Sequence, residues 1–190
     1  MKLPKPFEKF GSISNIAVGT IFENRRELAN SGIHRPLQAG ICGTERLGAE
    51  SIVISGGYED DEDMGDRIIH TGAGGVEPKT GRQIGNQTLT RTNLALSRNC
   101  QNSFPVRVIR GSRGDRNYSP PYGFRYDGLY QVLKFWPEVG RSGFTVYRFE
   151  LVSYDPLYGN IFNKISKQYV PVSESDLARI RAMVEGKEFQ

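Results

Sequence analysis

The chain has 190 residues, a formal net charge of +4, 37% hydrophobic and 24% charged residues. That is enough chain to bury a core as one domain, and too ordinary a composition for a disordered, collagenous or coiled-coil protein. No apolar run approaches the roughly 20 residues that cross a membrane, and the first ten residues lack a secretory apolar core, so an intracellular location is expected. Cys42 and Cys100 are too few for a secreted disulfide scaffold and are expected to be reduced and buried. With His34 and His70 they show no C-x-x-C or H-x-x-x-H spacing, so neither a metal site nor another cofactor is expected. The mild positive charge permits nucleic-acid binding, and a solvated basic face explains it equally well.

In chain order, residues 1–15 carry Pro4 and Pro6 and read as an arm lying over the domain. Residues 20–32 space Phe22, Arg25, Arg26, Leu28 and Ala29 as a short amphipathic helix, ended by Gly32 in a left-handed cap. Arg35 precedes Pro36 and must be extended, after which residues 39–42 enter the sheet. Ile52, Val53 and Ile54, then Ile68 and Ile69, read as short buried strands, because β-branched runs bounded by glycine rarely make helix. Residues 76–87 are polar with glycine and proline, an exposed loop, and residues 88–99 put Leu89, Leu94 and Ala95 on one helix face. Residues 106–110 alternate apolar and basic, the pattern of a half-buried strand, within a run of arginines at 107, 110, 113 and 116. A loop over 111–123, a strand over 129–136, a turn over 137–143 and a long apolar strand over 144–152 follow. Ser173 with Asp176 opens a C-terminal helix through Val184, expected to pack on the domain. The simplest architecture is one closed or highly curved sheet with a few helices around it.

Residues 55–75, SGGYEDDEDMGDRIIHTGAGG, are the stretch around which the rest reads as scaffold. Two strands bring Tyr58 and His70 together with an acidic loop between them, and two flat rings across a glycine-lined gap make a slot for a planar ligand. A carboxylate in that slot calls for an amino group, and cytosine offers one at N4. Dinucleotide, phosphate-loop, serine-hydrolase and zinc-protease motifs are absent, so no catalytic residue is expected. Two other readings stay open: the acidic run 59–63 as a Mg²⁺-dependent nuclease site, and an RNA-binding module.

GGYEDDEDMG with TGAGG, the upstream SGIHRPLQAGI, and the downstream LTRTNLAL, VRVIRG, RYDGLYQV and WPEVGRSGFTVYRFEL together resemble the SET- and RING-associated domain, also called the SRA or YDG domain. The likeness runs in order from about Ile16 to Asp155. It implies a β-dominated α+β fold, a curved PUA-like β-barrel with flanking helices, over residues 16–155, with 156–190 as a C-terminal extension. It also implies a reader of double-stranded DNA that flips 5-methylcytosine or 5-hydroxymethylcytosine into a pocket. By the same resemblance Tyr58 is a stacking aromatic, Asp61 accepts from N4, Gly56 and Gly57 line the pocket with backbone, and Thr71 lies beside the base edge. His70 stands where the family often has a second stacking tyrosine. Gln38 enters the space the base vacates, and His34, Arg35 and Arg82 contact the duplex. Tyr126 and Asp127 of the YDG signature are expected to be structural, in a turn that supports the sheet. No SET, RING or nuclease segment is visible, so the chain either acts alone or is the reader part of a longer protein or a restriction system with a nuclease domain or subunit.

Overall fold

The computed structural model describes residues 9–77 and 79–153, an α+β fold dominated by one mixed sheet. Strand β1 (Ile21–Phe22) comes first, so the helix expected from residue 20 begins only after it. Asn24 starts helix α1 (Arg25–Ser31), its side chain accepting the N–H groups of Arg26 and Glu27 at 3.0 and 3.1 Å. Gly32 ends it in the expected left-handed conformation, φ 76°. The remaining elements are β2 (Ile41–Thr44), β3 (Gly48–Ile54), β4 (Glu62–Asp63), β5 (Arg67–Thr71), helix α2 (Arg91–Asn102), β6 (Val106–Gly111), β7 (Phe124–Val139) and β8 (Thr145–Ser153). No helix among the described residues is long and apolar enough to cross a membrane. The expected C-terminal helix lies outside the described residues.

The strands run in the order β2-β3-β6-β7-β8-β5-β4, with β1 beside β7. Among the described residues only β3 and β6 pair in parallel. The order is open: among the described residues no ladder joins β2 to β4, so the sheet is not closed into a barrel. Register shifts in β2, β6 and β7 are the irregularities that bend such a sheet.

Both faces are covered. Helix α2 sets Ala95 and Leu96 against Ile52, Ile54, Ile68, Val106, Val108, Phe149 and Leu151. On the other face Leu28 of α1 packs with Phe22, Ile33, Val53, Ile109 and Tyr126. Double coverage is why residues 52–54 of β3 read as an unbroken apolar run. It also corrects the half-buried reading of β6, all of whose residues are buried. Its arginines face inward. Arg107 donates to the carbonyls of Ile33, Lys9 and Gly11 at 3.2, 2.8 and 2.7 Å, which fastens the N-terminal segment to the sheet.

Arg110 is the second buried cation. Its guanidinium forks onto Asp63 of β4 (2.7 and 2.8 Å) and reaches Asp127 of β7 at 2.8 Å. Burial pulls its pKa down, but the bonds from Asp63 and Asp127 outweigh that and hold it above the ordinary arginine value. Asp127 also binds Arg125, so the YDG signature is structural, though it lies inside continuous β7 and not in a turn. Cys42 and Cys100 are free thiols; Cys42 is buried, whereas Cys100 is half-buried. Removing one partner of a buried ion pair leaves uncompensated charge, so Arg110→Ala is expected to lower the unfolding free energy by about 3–5 kcal/mol. In the same denaturant titrations Arg141→Ala, which breaks an exposed contact to Asp60, is expected to cost less than about 1 kcal/mol.

Candidate modified-base site

Strand β3 delivers the chain to Gly56 and Gly57, and the β4–β5 pairing (Glu62 opposite Ile69, Asp63 opposite Ile68) folds the acidic loop back over β5. Gly56 has φ +68°, and a Cβ there would stand 2.4 Å from the Arg113 carbonyl oxygen, so only glycine lets these two loops touch. A Cβ on Gly57 would meet nothing within 4 Å. Beyond them the Asp61 N–H bonds the Tyr58 carbonyl at 3.3 Å, closing the turn that sets the two side chains side by side.

Tyr58, Asp61 and Gly56 line one cavity of about 300 Å³, with Ile54, Glu62, Asp63, Gly114 and Asp115. The wall from Gly114 and Asp115 was missed in the sequence, since nothing local ties residues 114–115 to residue 56. Asp61 is one of four carboxylates in this lining, with Glu62, Asp63 and Asp115. The Asp61 side chain is 10% exposed, and Oδ1 accepts the Thr71 N–H at 2.7 Å. Oδ2 has no hydrogen-bond partner among the described residues. Burial pushes the Tyr58 phenol up, the Gly74 backbone pulls it down and Asp61 pushes it up again, so the ring stays neutral near neutral pH.

His70 and Thr71 do not line that cavity; they back Asp61 from β5. His70 Nδ1 is 3.5 Å from Asp61 Oδ1, and neither ring nitrogen has a hydrogen-bond partner among the described residues. The Thr71 hydroxyl is likewise buried without one. Such atoms are unusual, because each buried unsatisfied polar group costs about 1–3 kcal/mol. Gly72 and Gly75 are packed against protein. A Cβ on Gly72 would meet Asn93 Oδ1 at 2.7 Å, and one on Gly75 the Gly85 carbonyl at 2.2 Å. Asn93, Gln87 and Gln83 hold this segment through Ala73, Gly72 and Gly74.

The five carboxylates of residues 59–63 turn to different partners. Glu59 takes the Ser142 hydroxyl, Asp60 the Arg141 N–H, Asp61 the Thr71 N–H, Glu62 Arg148 and Asp63 Arg110. Asp61, Glu62 and Asp63 line one cavity but are bound to separate partners, and the described residues contain no group of three or more side chains placed to hold a metal ion.

Among the expected duplex contacts, Gln38 and Arg82 are exposed, and Arg35 is 56% exposed while paired to Glu50 at 2.7 Å. His34 is different. It is fully buried, its Nε2 donating to the Ala39 carbonyl at 2.9 Å and its Nδ1 accepting from Ser51 Oγ at 2.8 Å. A side chain without accessible surface touches no duplex, so the expected contact is corrected to a support for the loop that carries Gln38. Arg25, not anticipated from the sequence, holds the same loop through the carbonyls of Leu37, Pro36 and Ala39.

A family model for the SAD/SRA domain matches residues 9–156. The chain belongs to the SAD/SRA domain family. This SRA domain is 42% identical to E3 ubiquitin-protein ligase UHRF1 of Bos taurus, over 77% of this chain and 21% of that protein. It is 42% identical to histone-lysine N-methyltransferase family member SUVH2 of Arabidopsis thaliana, over 79% of this chain and 24% of that protein. It therefore spans less than a quarter of the length of these curated relatives. Among solved structures it resembles the modification dependent TagI restriction endonuclease, with a TM-score of 0.74 and 46% identity over 78% of this chain and 53% of that one. It also resembles the SUVH5 SRA bound to fully hydroxymethylated CG DNA, with a TM-score of 0.65 and 39% identity over 77% of this chain and 94% of that one.

His34 gives the SRA domain a pH dependence. Burial, then the cations Arg25, Arg107 and Arg35, lower its pKa to about 3 against the bond to Ala39, which raises it. Between the ordinary value near 6.5 and about 3, the unfolded chain takes up a proton that the folded chain refuses. This contribution to stability is complete above pH 6.5 and is lost as the pH falls, by at most about 1.4 kcal/mol per pH unit. Urea unfolding is expected to follow that slope, with a His34 ring that stays neutral by NMR down to about pH 4; protonation near 6.5 in the folded protein contradicts it.

Proposed function

We propose that this chain binds double-stranded DNA containing 5-methylcytosine or 5-hydroxymethylcytosine by flipping the modified base into the cavity beside Tyr58 and Asp61. The observation that carries the reading is the state of Asp61: a nearly buried carboxylate, one oxygen fixed by the Thr71 N–H and the other open, next to an aromatic ring. That is an acceptor prepared for an amino group on a planar ligand, which cytosine N4 supplies. The solved SUVH5 SRA structures, in complex with methylated and hydroxymethylated DNA, support the same reading.

In this reading Tyr58 stacks on the base, Gly56 and Gly57 allow its close approach, and His70 and Thr71 hold Asp61 from behind. Gln38 fills the vacated place in the duplex, and Arg35 and Arg82 contact the backbone. Extrusion costs a few kcal/mol of unstacking and unpairing, which these contacts must offset. The reader unit spans residues 16–155, its bent sheet a PUA-like barrel left open along one seam. It acts inside the cell as the non-catalytic reader of a modification-dependent restriction system, and the likeness to TagI favours a nuclease domain or subunit as its partner.

A methyl group in an apolar pocket is worth roughly 1–3 kcal/mol, so a modified duplex is expected to bind about ten- to a hundredfold more tightly than its unmodified twin. Fluorescence anisotropy at fixed salt with cytosine, 5-methylcytosine and 5-hydroxymethylcytosine duplexes measures this. Asp61→Ala is expected to bring the three together while leaving salt-dependent binding in place. An unchanged preference in the variant contradicts the role given to Asp61.

A further inference from the structure

One wall of the Asp61 cavity comes from the turn over residues 112–117, which carries Arg113 and Arg116. The turn is built, not loose. Ser112 N–H bonds the Gly123 carbonyl at 3.0 Å and Gly114 N–H the Gly111 carbonyl at 3.1 Å. Asp115 caps it, taking the Asn117 N–H on its side chain at 2.8 Å and the Ser119 N–H on its carbonyl at 2.8 Å. Arg125, itself held by Asp127, fastens the far end through the Tyr118 carbonyl at 2.6 Å. The Gly56 contact then fixes the Arg113 backbone at the mouth of the cavity.

Arg113 and Arg116 are exposed, and no carboxylate lies within ion-pair distance of either among the described residues. This sets them apart from Arg107, Arg110, Arg125 and Arg148, whose charges are already answered by Glu50, Asp63, Asp127 and Glu62. On the opposite rim, Gly81 lies against Gly57, its Cβ position 3.2 Å from the Gly57 carbonyl, with exposed Arg82 beside it. Arg113, Arg116 and Arg82 therefore bring three exposed cations without an ion-pair partner among the described residues to the mouth, against one such carboxylate, Asp115.

We propose that the 112–117 turn is a phosphate clamp, Arg113 and Arg116 contacting the backbone phosphates that flank the extruded nucleotide on its own strand. The inference rests on the base-flipping reading given above. A base seated beside Tyr58 draws its own sugar and flanking phosphates across the cavity rim, and the turn forms that rim. Such contacts hold the strand without reading its sequence.

The test is a set of anisotropy titrations across a salt series with the wild type, Arg113→Gln/Arg116→Gln, and the charge-matched control Arg46→Gln/Arg91→Gln. Arg46 lies in the turn before β3, whose opposite end leads to the cavity, and Arg91 N–H bonds the neighbouring Glu45. The clamp variant is expected to bind modified and unmodified duplexes more weakly by the same factor, with the slope of log K against log salt reduced by about two. Methylphosphonates at the two phosphates flanking the modified cytosine are expected to weaken the wild type and leave the clamp variant unaffected. An unchanged slope, an equal fall in the control, or equal sensitivity of wild type and clamp variant to the methylphosphonates overturns the clamp. Failure of the base reading is visible separately, as wild-type binding that does not distinguish the modified duplex.

Discussion

The fork of Arg110 onto Asp63 is the interaction on which the site depends. A guanidinium in the middle of a sheet has to find fixed acceptors, and its rigid planar geometry accepts few arrangements. Here the acceptors are Asp63 on β4 and Asp127 on β7, with the Tyr130 hydroxyl within 3.3 Å. Strand β4 is only two residues long and β7 belongs to the centre of the sheet. The pair ties the acidic hairpin to the centre of the sheet, in addition to the hairpin's contacts with β5, β8 and the β7–β8 connection. With it, Asp61 and Tyr58 are set at fixed distances from the sheet, and the YDG signature acquires a physical reason: its aspartate positions Arg110 on one side and Arg125, hence the 112–117 turn, on the other.

The same logic explains how an acidic run sits in a proposed DNA site. Five unanswered carboxylates would repel phosphates. Asp63 and Glu62 are neutralised by Arg110 and Arg148, while Asp60 and Glu59 are turned to the β7–β8 connection through Arg141 and Ser142. Of the carboxylates of this run that line the cavity, Glu62 and Asp63 are held by arginines, and Asp61 keeps one oxygen without a hydrogen-bond partner among the described residues. Repulsion is reduced, and arginines without an ion-pair partner among the described residues remain around the mouth to attract the backbone.

Much of this was legible in the sequence where the signal is local. The runs Ile52 to Ile54 and Ile68 to Ile69 became β3 and β5, Gly32 capped its helix, and the quoted motifs carried the family. What was not legible depends on partners far away in the chain. Arg107 and Arg110 looked like a solvated face because Glu50 and Asp63 stand 57 and 47 residues earlier. His34 looked like a contact because Ser51, which buries it, lies 17 residues on. The turn expected over 137–143 starts late: β7 runs to Val139 through Pro137. Beyond Tyr130 that strand has β8 on one side and no longer pairs with β6, so a proline without an N–H leaves no ladder bond missing there. The packing of Gly72 and Gly75 is not legible either, since Asn93, Gln87 and Gln83, which occupy the space a side chain would need, lie 8 to 21 residues further along the chain.

The most direct measurement is a crystal structure of this chain with a short duplex carrying one 5-methylcytosine. The account predicts the methylated base outside the helix, against the Tyr58 ring, with N4 within hydrogen-bond distance of Asp61 Oδ2 and the Thr71 N–H still on Oδ1. A methylated base stacked in the duplex, or a flipped base whose N4 finds another acceptor, contradicts it.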